Sequence, residues 1–243
     1  MNLLVLGANS DLAFALAKQF AEAENADLWL ASRDVARLEA KARDINLRYG
    51  VKTQACFFDA ETPEAHAEFY AQLDPKPDAV IVAFGLLGDQ AAAQKDFGAA
   101  RRVFEANCLG AISILEIIAA DFERRGHGGI IGISSVAGER GRQSNYMYGA
   151  AKGALTIYLS GLRNRLARRG VFVMTVLPGF MHTKMTEGMA LPEKLTALPE
   201  EAAVDIHRAY RNRRDVVYTR WFWRWIMLVI RLIPETMFKR LRL

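Results

Sequence analysis

The sequence predicts a single α/β domain in which helices pack on both faces of a parallel sheet. Its 243 residues are about the size at which an α/β domain stays undivided. About half of the residues are hydrophobic and a quarter are charged, which is typical of a globular protein. Short apolar runs alternate with segments of helical periodicity, and this alternation indicates parallel strands buried on both faces.

The elements can be assigned in chain order. The first strand is expected in NLLVLGA, the first helix in DLAFALAKQFAEA and the second strand in DLWLASR. The periodic stretch VARLEAKARDINLRYG predicts a helix that stops at Gly50, ahead of a third strand in VKTQACFFD. A fourth strand in DAVIVAFG precedes a long helix through VFEANCLGAISILEIIAADFERRG and a strand in GGIIGISSVAG. A helix that contains Tyr148 and Lys152 then leads to a strand in GVFVMTVLPG.

Cysteine usage, the first residues and the charge distribution narrow the classes of protein to consider. Cys56 and Cys108 have neither metal-binding nor redox spacing, so we expect reduced thiols, a reducing compartment and no metal site. The start MNLLVLGANS lacks the features of a signal peptide, which favours a cytoplasmic protein. Residues 208–243 carry ten Lys or Arg and two Asp or Glu, a net charge of +8. Because the whole chain has a net charge of +5, the residues before position 208 have a net charge of −3. This asymmetry argues against general nucleic-acid binding and favours an anionic partner for the tail.

A phosphate-binding turn is expected between the first strand and the first helix, in GANSDLA. Backbone N–H groups and the positive end of a helix stabilise a pyrophosphate at such a turn, as in Rossmann-type domains. Of the three usual glycines only Gly7 is present, and Asp11 and Ala13 occupy the other two positions. The alternative is a plain strand-to-helix turn in which Asn9 or Ser10 caps the helix. The residues expected to contact the pyrophosphate are Gly7, Asn9, Ser10, Asp11 and Leu12.

The residue that follows the second strand distinguishes two nicotinamide cofactors. An acid there would bind the adenosine ribose hydroxyls of NADH, whereas an arginine accommodates the 2′-phosphate of NADPH. In LASRD, Arg33 comes first and Asp34 follows it. The order favours NADPH and leaves NADH as the alternative, and both residues would also suit a solvated loop.

Two tyrosines in NYMYGAAKGAL are candidates for acid chemistry. A tyrosine with an unperturbed pKa near 10 is a weak acid at neutral pH, and a nearby cation lowers that pKa. Residues four apart share one face of a helix, which pairs Tyr148 with Lys152 and Tyr146 with Ala150. Tyr148 is therefore the candidate. Ser135, at the carboxyl end of a predicted strand, could donate a hydrogen bond to the same substrate oxygen, or it could cap a helix.

Taken in order, these residues resemble the short-chain dehydrogenase/reductase family over about the first 190 positions. The resemblance implies that Tyr148 donates a proton, that Lys152 lowers its pKa and binds ribose, and that Ser135 positions the carbonyl group. It also implies that Asn107, in FEANCLGA, holds a water of a proton relay, although a helix residue bonded to backbone is the alternative. The further cofactor contacts that it implies are Asp59, Ala60, Ala83, Phe84, Gly85, Pro178, Gly179 and Thr183. The run VAFG departs from the family's Asn-Asn-Ala-Gly.

A narrower resemblance lies in VIVAFGLLGD, SSVAGER and MLVIRLIPETMFKRL. These stretches are similar to reductases of decaprenylphosphoryl-2-keto-erythro-pentose, a lipid-linked ketosugar. The resemblance implies reduction of a ketone on a polyprenyl-phosphate-linked or other lipid-linked substrate. It further implies a flavin oxidase partner. Membership of the wider family implies a homo-oligomer.

We divide the chain into a dinucleotide-binding and catalytic core (residues 1–190), a lid (191–215) and a tail (216–243). The lid prediction rests on MTEGMALPEKLTALPEE, whose Met, Pro and Gly content suits a mobile segment, with Met185 and Met189 facing an apolar substrate or ordinary core.

In the tail, VVYTRWFWRWIMLVIRLIP is not expected to add a strand to the sheet. Arg220, Arg224 and Arg231 fall on one side of a helix whose other positions are aromatic or aliphatic. The apolar run is too short to span a bilayer, so we expect an amphipathic basic helix on the anionic surface of the inner membrane, aided by KRLRL. A homodimer seam or a cover for the sheet edge is the alternative.

Three functions follow from these patterns. The first is a membrane-associated, NADPH-dependent ketoreductase. The second is a soluble reductase of lipid, steroid-like or sugar ketones whose tail forms a dimer interface. The third, of a different class, is an NADPH-sensing scaffold without turnover, which the intact Tyr148 and Lys152 disfavour.

Overall fold

Seven parallel strands form the central sheet of the computed structural model, which describes residues 1–241. They are β1 (Asn2–Leu6), β2 (Asp27–Ser32), β3 (Thr53–Phe57), β4 (Ala79–Val82), β5 (Gly128–Ile133), β6 (Val171–Pro178) and, after the small pair β7 (Phe180–Met181) and β8 (Thr196–Ala197), β9 (Val216–Thr219). The order across the sheet is β3-β2-β1-β4-β5-β6-β9. The chain reverses its direction of travel across the sheet between β1 and β4, as a doubly wound domain requires.

Helices cover both faces of this sheet. They are α1 (Asp11–Glu24), α2 (Val35–Tyr49), α3 (His66–Gln72), α4 (Gln90–Lys95), α5 (Phe97–Phe104), α6 (Gly110–Arg125), α7 (Tyr146–Leu166), α8 (Pro199–Arg211), α9 (Trp223–Leu232) and α10 (Glu235–Phe238). Successive residues of β1 point to opposite faces, so Leu3 and Val5 pack beneath α1, α2 and α8 while Leu4 and Leu6 pack beneath α6 and α7. The predicted fold class is confirmed.

Local sequence signals set the ends of the first two helices. The Ser10 hydroxyl accepts a hydrogen bond from the backbone N–H of Ala13 (3.3 Å) and caps α1. The Asp34 carboxylate accepts one from Arg37 (3.0 Å) and caps α2. α2 ends as expected before Gly50, which has a φ of +67° that favours glycine.

The long helix predicted after β4 is present as α5 and α6, joined by a π-helical turn at Glu105–Leu109. By length and composition, Phe97–Arg125 is the one helix within residues 1–241 that could cross a membrane. More than half of its apolar window is buried inside the domain. Its hydrophobicity is therefore accounted for by packing against the sheet.

One prediction about the C-terminal part of the chain is wrong, namely that the tail adds no strand to the sheet, whereas the division into core, lid and tail stays a prediction. Part of the predicted lid is α8, whose buried side chains Ala202, Ala203 and Ile206 pack on α1 in the main core. The tail also supplies a sheet strand, because β9 pairs in parallel with β6 from Val216 opposite Thr175 to Thr219 opposite Pro178. Pairing with β9 satisfies the backbone groups along the edge of β6, which would otherwise be open. The amphipathic helix expected in the tail follows as α9.

The tail of the described chain is held against the core. On α9, Trp223 and Met227 are buried against Val136 and Leu177. The Arg140 guanidinium donates hydrogen bonds to the carbonyl oxygens of Arg231 (3.1 Å) and Ile233 (3.2 Å), which lie at the C-terminal end of α9. Of the predicted basic stretch KRLRL, Arg242 and Leu243 lie outside the described residues.

Candidate active site

A cleft of about 910 Å³ opens at the carboxyl ends of β1, β4, β5 and β6. This is the edge of a doubly wound sheet at which ligands bind. Thirteen of the residues singled out in the sequence line it: Asn9, Ser10, Asp11, Leu12, Ala83, Phe84, Gly85, Ser135, Tyr148, Lys152, Pro178, Gly179 and Thr183. Five others, Gly7, Arg33, Asp59, Ala60 and Asn107, do not line its wall.

Gly7 lies beneath the first turn rather than on the cleft wall. Its φ is +81°, and a Cβ added there would lie 2.6 Å from the backbone nitrogen of Phe84. Any other residue would both strain the backbone and collide with the strand-end loop after β4. The single glycine of the altered turn is thus required by the approach of Phe84, a residue of the departing VAFG run.

Asp11 has a contact that explains its presence at a usual glycine position. Its Oδ2 atom accepts a hydrogen bond from the backbone N–H of Lys184 at 2.8 Å. Lys184 follows Thr183 in the loop after β6, so the bond ties the first turn to the opposite rim of the cleft. The sequence alone offered no indication of this contact.

At the adenosine end of the cleft, Asn9 holds the ends of β1 and β2 together. Its Nδ2 atom donates to the Ser32 hydroxyl (2.7 Å) and to the Asp34 carbonyl oxygen (2.9 Å). Its Oδ1 atom is buried and has no hydrogen-bond partner among the described residues. An orphaned acceptor in this position fits a ligand that carries hydroxyl donors, as the ribose of a nicotinamide cofactor does.

Lys41 was not identified from the sequence. Its Nζ atom donates to the carbonyl oxygens of Ala8 and Asn9, each at 3.2 Å, and so fixes the turn from the α2 side. Burial, together with the charge of Arg37, lowers the pKa of Lys41 to about 8. Its position in the second turn of α2, with no motif around it, gave no sequence signal.

Arg33, Asp59 and Ala60 lie at the carboxyl ends of β2 and β3, outside the cleft wall. The exposed Arg33 guanidinium forms a salt bridge with Glu61 (3.3 Å), and Asp59 accepts a hydrogen bond from the Glu61 backbone N–H (3.0 Å). An exposed pair of this kind contributes little to stability, so it leaves Arg33 available to a competing anion. The sequence did not indicate Glu61 as its partner.

Tyr148 and Lys152 face the same side of α7 and both line the cleft, as their spacing predicted. The Lys152 Nζ atom lies 6.0 Å from the centre of the Tyr148 ring and donates a hydrogen bond to the Ile133 carbonyl oxygen (3.0 Å). Ser135 follows β5, lines the same cleft and lies close enough to Tyr148 for its hydroxyl to act on the pKa of the phenol. It also accepts a hydrogen bond from the Ala137 backbone N–H (3.1 Å), so the capping role that was the alternative is present as well.

Small residues bring α7 close enough for this contact. A Cβ at Gly149 would lie 2.7 Å from the Ala137 carbonyl oxygen, and a Cβ at Gly138 would lie 2.6 Å from the Gly153 nitrogen. Gly149 and Gly153 are four residues apart and therefore lie on one face of the helix. This glycine face lets α7 pack directly on the turn that carries Ser135.

The pKa of Tyr148 differs from the sequence expectation. Burial raises it to about 12, and the Ser135 hydroxyl opposes that shift without reversing it. Burial also lowers the pKa of Lys152 to about 8. The free-energy cost of burying a phenolate thus sets the net direction of the shift, and the lowering contribution expected from Lys152 stays a prediction.

Asn107 is buried in the π-helical turn behind the cleft. Its Nδ2 atom donates to the carbonyl oxygens of Leu86 (2.6 Å) and Val103 (2.7 Å), and its Oδ1 atom accepts from the Leu86 N–H (3.2 Å). The side chain is thus bonded to backbone, which was the alternative interpretation, and it fixes the loop after β4. A role in holding water remains a prediction.

The C-terminal helix packs against residues after β6 that line the cleft. A Cβ at Gly179 would lie 2.0 Å from the Trp223 indole, whose Nε1 atom donates to the Leu195 carbonyl oxygen (3.2 Å). The ring of Phe180, which lines the cleft, meets the indole edge to face with centroids 5.1 Å apart. Trp223 therefore joins the tail to the loop after β6.

The family model for short chain dehydrogenases matches residues 1–194 of the chain. The chain belongs to the short-chain dehydrogenase family. It is 33% identical over 241 residues to an "uncharacterized oxidoreductase" of Mycobacterium tuberculosis, covering 98% of this chain and 96% of that protein. A Streptomyces coelicolor oxidoreductase is 32% identical over 246 residues, with 99% and 95% covered. The chain is thus a family oxidoreductase, and the sequence-based assignment at that level is confirmed.

Solved structures give the same fold. A short-chain dehydrogenase from Sphingobium yanoikuyae in complex with NADPH superposes with a TM-score of 0.85 at 25% identity, covering 94% of this chain and 91% of that one. An actinorhodin polyketide ketoreductase with NADPH superposes with a TM-score of 0.78 at 19% identity, covering 89% and 94%. These comparisons do not support the narrower resemblance to reductases of decaprenyl-linked ketosugars, which stays a prediction.

Proposed function

We propose that this oxidoreductase reduces a ketone to a secondary alcohol with NADPH as the hydride source. The observation that carries the proposal is the convergence of Ser135, Tyr148 and Lys152 on one wall of the cleft. The cofactor would be held by the Gly7–Leu12 turn at its pyrophosphate and by Asn9 at its adenosine. NADPH would supply the hydride, and the positive charges of Arg33 and Lys41 suit its 2′-phosphate. The similar Sphingobium structure is a complex with NADPH. NADH is the alternative that Asp34 suits.

Each catalytic side chain has a role that its surroundings support. Ser135 donates a hydrogen bond to the ketone oxygen, and Tyr148 gives that oxygen a proton. A pKa of about 12 keeps the Tyr148 phenol protonated at neutral pH, which a proton donor requires. Lys152, held at the Ile133 carbonyl oxygen, stabilises the phenolate that proton transfer leaves. The protonated phenol favours reduction over alcohol oxidation as the direction near neutral pH.

Replacement of Tyr148 by Phe tests this assignment. We expect kcat for a ketone panel, followed by NADPH absorbance, to fall by roughly 10²–10⁴-fold because the proton donor is lost. Tyr146→Phe is the matched control, since Tyr146 is exposed and does not line the cleft. Full turnover in Tyr148→Phe would reject the role, and NADPH binding without oxidation of any ketone by the wild type would support the scaffold alternative.

The finer part of the proposal is a lipid-linked ketosugar substrate at the cytoplasmic surface of the inner membrane. We call the part of the cleft away from the Gly7–Leu12 turn its substrate half, and the part at that turn its nucleotide half. The substrate half is lined by apolar side chains that suit an apolar chain: Leu87, Met185, Met189 and Leu191. The flavin oxidase partner rests on the narrower resemblance, and homo-oligomerisation rests on family membership. Co-purification and light scattering test these two points.

The outward face of α9 supports membrane contact. Trp225, Leu228 and Leu232 follow helical spacing, Trp221 lies in the turn just before the helix, and Trp221 and Leu232 are each 72% exposed. The structure modifies the expected pattern, since apolar residues occupy both the docked and the outward faces and Arg231 turns towards Glu139 (3.4 Å). Exposed Arg224 lies beside the outward face, where a cation stabilises contact with anionic lipid.

A paired substitution in α9, Val229→Asp with Leu232→Asp, tests membrane contact. We expect co-flotation with phosphatidylglycerol vesicles to be lost, because both side chains are exposed and would be placed in the lipid interface. Leu47→Asp, an equally exposed change on α2, is the control. If flotation persists while a dimer dissociates, the face is a homodimer seam instead.

A further inference from the structure

Arg142 is an unpartnered cation inside the substrate half of the cleft. It lies in the connection between β5 and α7, and it lines the cleft close in sequence to Tyr148. Its side chain makes no hydrogen bond or salt bridge with any other residue between Met1 and Leu241, and burial lowers the pKa of its guanidinium. An arginine remains charged even so, so a positive charge is held within the cleft.

Arg140, two residues earlier in the same connection between β5 and α7, has several partners, in contrast to Arg142. Arg140 donates to the carbonyl oxygens of Arg231 and Ile233 and forms a salt bridge with Glu235 at 2.7 Å. Its guanidinium also stacks on the Phe238 ring at 4.1 Å. One arginine of the turn is therefore fully used in holding the tail, and the other faces the cleft with its donors unused.

Two amide side chains that line the same cleft as Arg142 also have unused atoms. The Gln90 Oε1 atom accepts a hydrogen bond from the Met147 backbone N–H (3.0 Å), which fixes the amide at the start of α7. Its Nε2 atom is buried without a partner in the described chain, and so is the Oδ1 atom of Asn145. All three residues line the cleft. Buried polar atoms are normally hydrogen-bonded, so this cluster is arranged for a polar ligand group.

The local charge balance selects an anionic ligand group. Asp89 lines the same half of the cleft, but its Oδ1 atom accepts hydrogen bonds from the backbone N–H groups of Ala91 (2.8 Å) and Ala92 (3.1 Å) at the start of α4. Asp89 is therefore engaged as a helix cap, and it forms no salt bridge with Arg142 within residues 1–241. A guanidinium and a nearby amide N–H together offer several donors to one anion, and phosphate oxygens match that arrangement.

We propose that Arg142, with the Nε2 atom of Gln90 as a second donor, binds a phosphate group of the ketone substrate. The inference rests on the proposed ketone reduction and specifies its substrate as an amphiphile. The phosphate lies at Arg142, and the apolar part lies against Met185, Met189 and Leu191. Arg142 acts as a specificity residue that sets the position of the ketone relative to Tyr148, and it takes no part in proton transfer.

Two matched ketones test this anchor: a short-chain acyl dihydroxyacetone phosphate and the same acyl dihydroxyacetone without phosphate, each with NADPH. We expect the wild type to have a kcat/KM at least tenfold higher for the phosphorylated ketone, mainly through KM. Arg142→Gln should lower that ratio at least tenfold, and Arg142→Lys should retain part of it because the charge is kept. Arg168→Gln, an exposed change after α7, is the charge control and should keep the wild-type ratio.

Calorimetric titration of the phosphorylated ketone onto the same variants separates this inference from the proposed function. If neither ketone is reduced, ketone reduction fails for these substrates, while a tenfold weaker binding to Arg142→Gln still supports the anchor. Equal binding to the wild type and Arg142→Gln overturns the anchor, as does a wild type that binds no phosphorylated ketone or shows no preference for it. Melting temperatures of the variants identify any loss of folding.

Discussion

The two halves of the cleft are built in different ways. In the nucleotide half, polar groups are largely engaged within the protein: Ser10 caps α1, Lys41 holds two carbonyl oxygens, and Asn9 bridges β1 and β2 through its Nδ2 atom, with only its Oδ1 atom left for a ligand. In the substrate half, Arg142, Gln90 and Asn145 carry atoms without partners in the described structure. The comparison indicates that the nucleotide half depends on backbone geometry, whereas the substrate half depends on individual side chains that a ligand completes.

The largest effect expected from this comparison is a backbone effect in the nucleotide half. Gly7→Val places a Cβ against the backbone of Phe84 at a φ of +81°, so we expect loss of NADPH binding and a lower melting temperature. Fluorescence titration of NADPH and thermal unfolding measure the two outcomes. Gly141→Ala is the control, because no atom of residues 1–241 lies within 4 Å of a Cβ at that position. A Gly7→Val variant with normal affinity would show that the turn does not bind the cofactor.

A pH effect of intermediate size is expected where the two halves meet. Lys152 has a pKa of about 8, so it is charged below that pH and loses its proton above it. Ketone reduction at saturating NADPH should be constant below about pH 8 and fall by about tenfold per pH unit above it. Lys152→Arg should remove the decline, since a guanidinium stays charged. A profile of wild-type kcat that is flat to pH 10 would contradict the role of the Lys152 charge.

The smallest effect is expected from the hydrogen bond between Asp11 and the Lys184 N–H, which joins the first turn to the opposite rim of the cleft. Asp11→Ala removes the acceptor for the Lys184 N–H, so the loop after β6 should open more often. We expect a severalfold faster amide hydrogen exchange in residues 183–187 and a severalfold higher KM for the ketone, with the size set by the loss of one hydrogen bond of about 1 kcal/mol. Exchange that is unchanged in Asp11→Ala would mean that other contacts close the rim.

Local patterns were sufficient to predict most of the sheet and the catalytic wall. Tyr148 and Lys152 share a face of α7 because residues four positions apart in any helix do so, whatever the rest of the fold. Gly50 ends α2 because it adopts a left-handed conformation that favours glycine. The strands β1, β4, β5 and β6 are nearly continuous apolar runs, which their burial on both faces requires, whereas the edge strand β3 (TQACF) is partly polar and partly exposed.

What could not be predicted depends on contacts between distant segments. β9 has only four residues, and its pairing with β6 depends on a partner about forty residues earlier in the chain. The Asp11–Lys184 and Arg33–Glu61 contacts likewise join separate loops. The pKa of Tyr148 is set by burial, which is a property of the assembled fold and not of the Tyr-x-x-x-Lys spacing.

Trp223 has a consequence for engineering the protein. Its indole fills the space that a side chain at position 179 would take and closes on Leu195, so the C-terminal segment and the loop over the cleft share one packing unit. A chimera that took only the segment from β9 onwards from a relative would place that relative's residue, instead of Trp223, against Gly179. Transfer of the segment to another scaffold therefore requires residues 179–195 to travel with it.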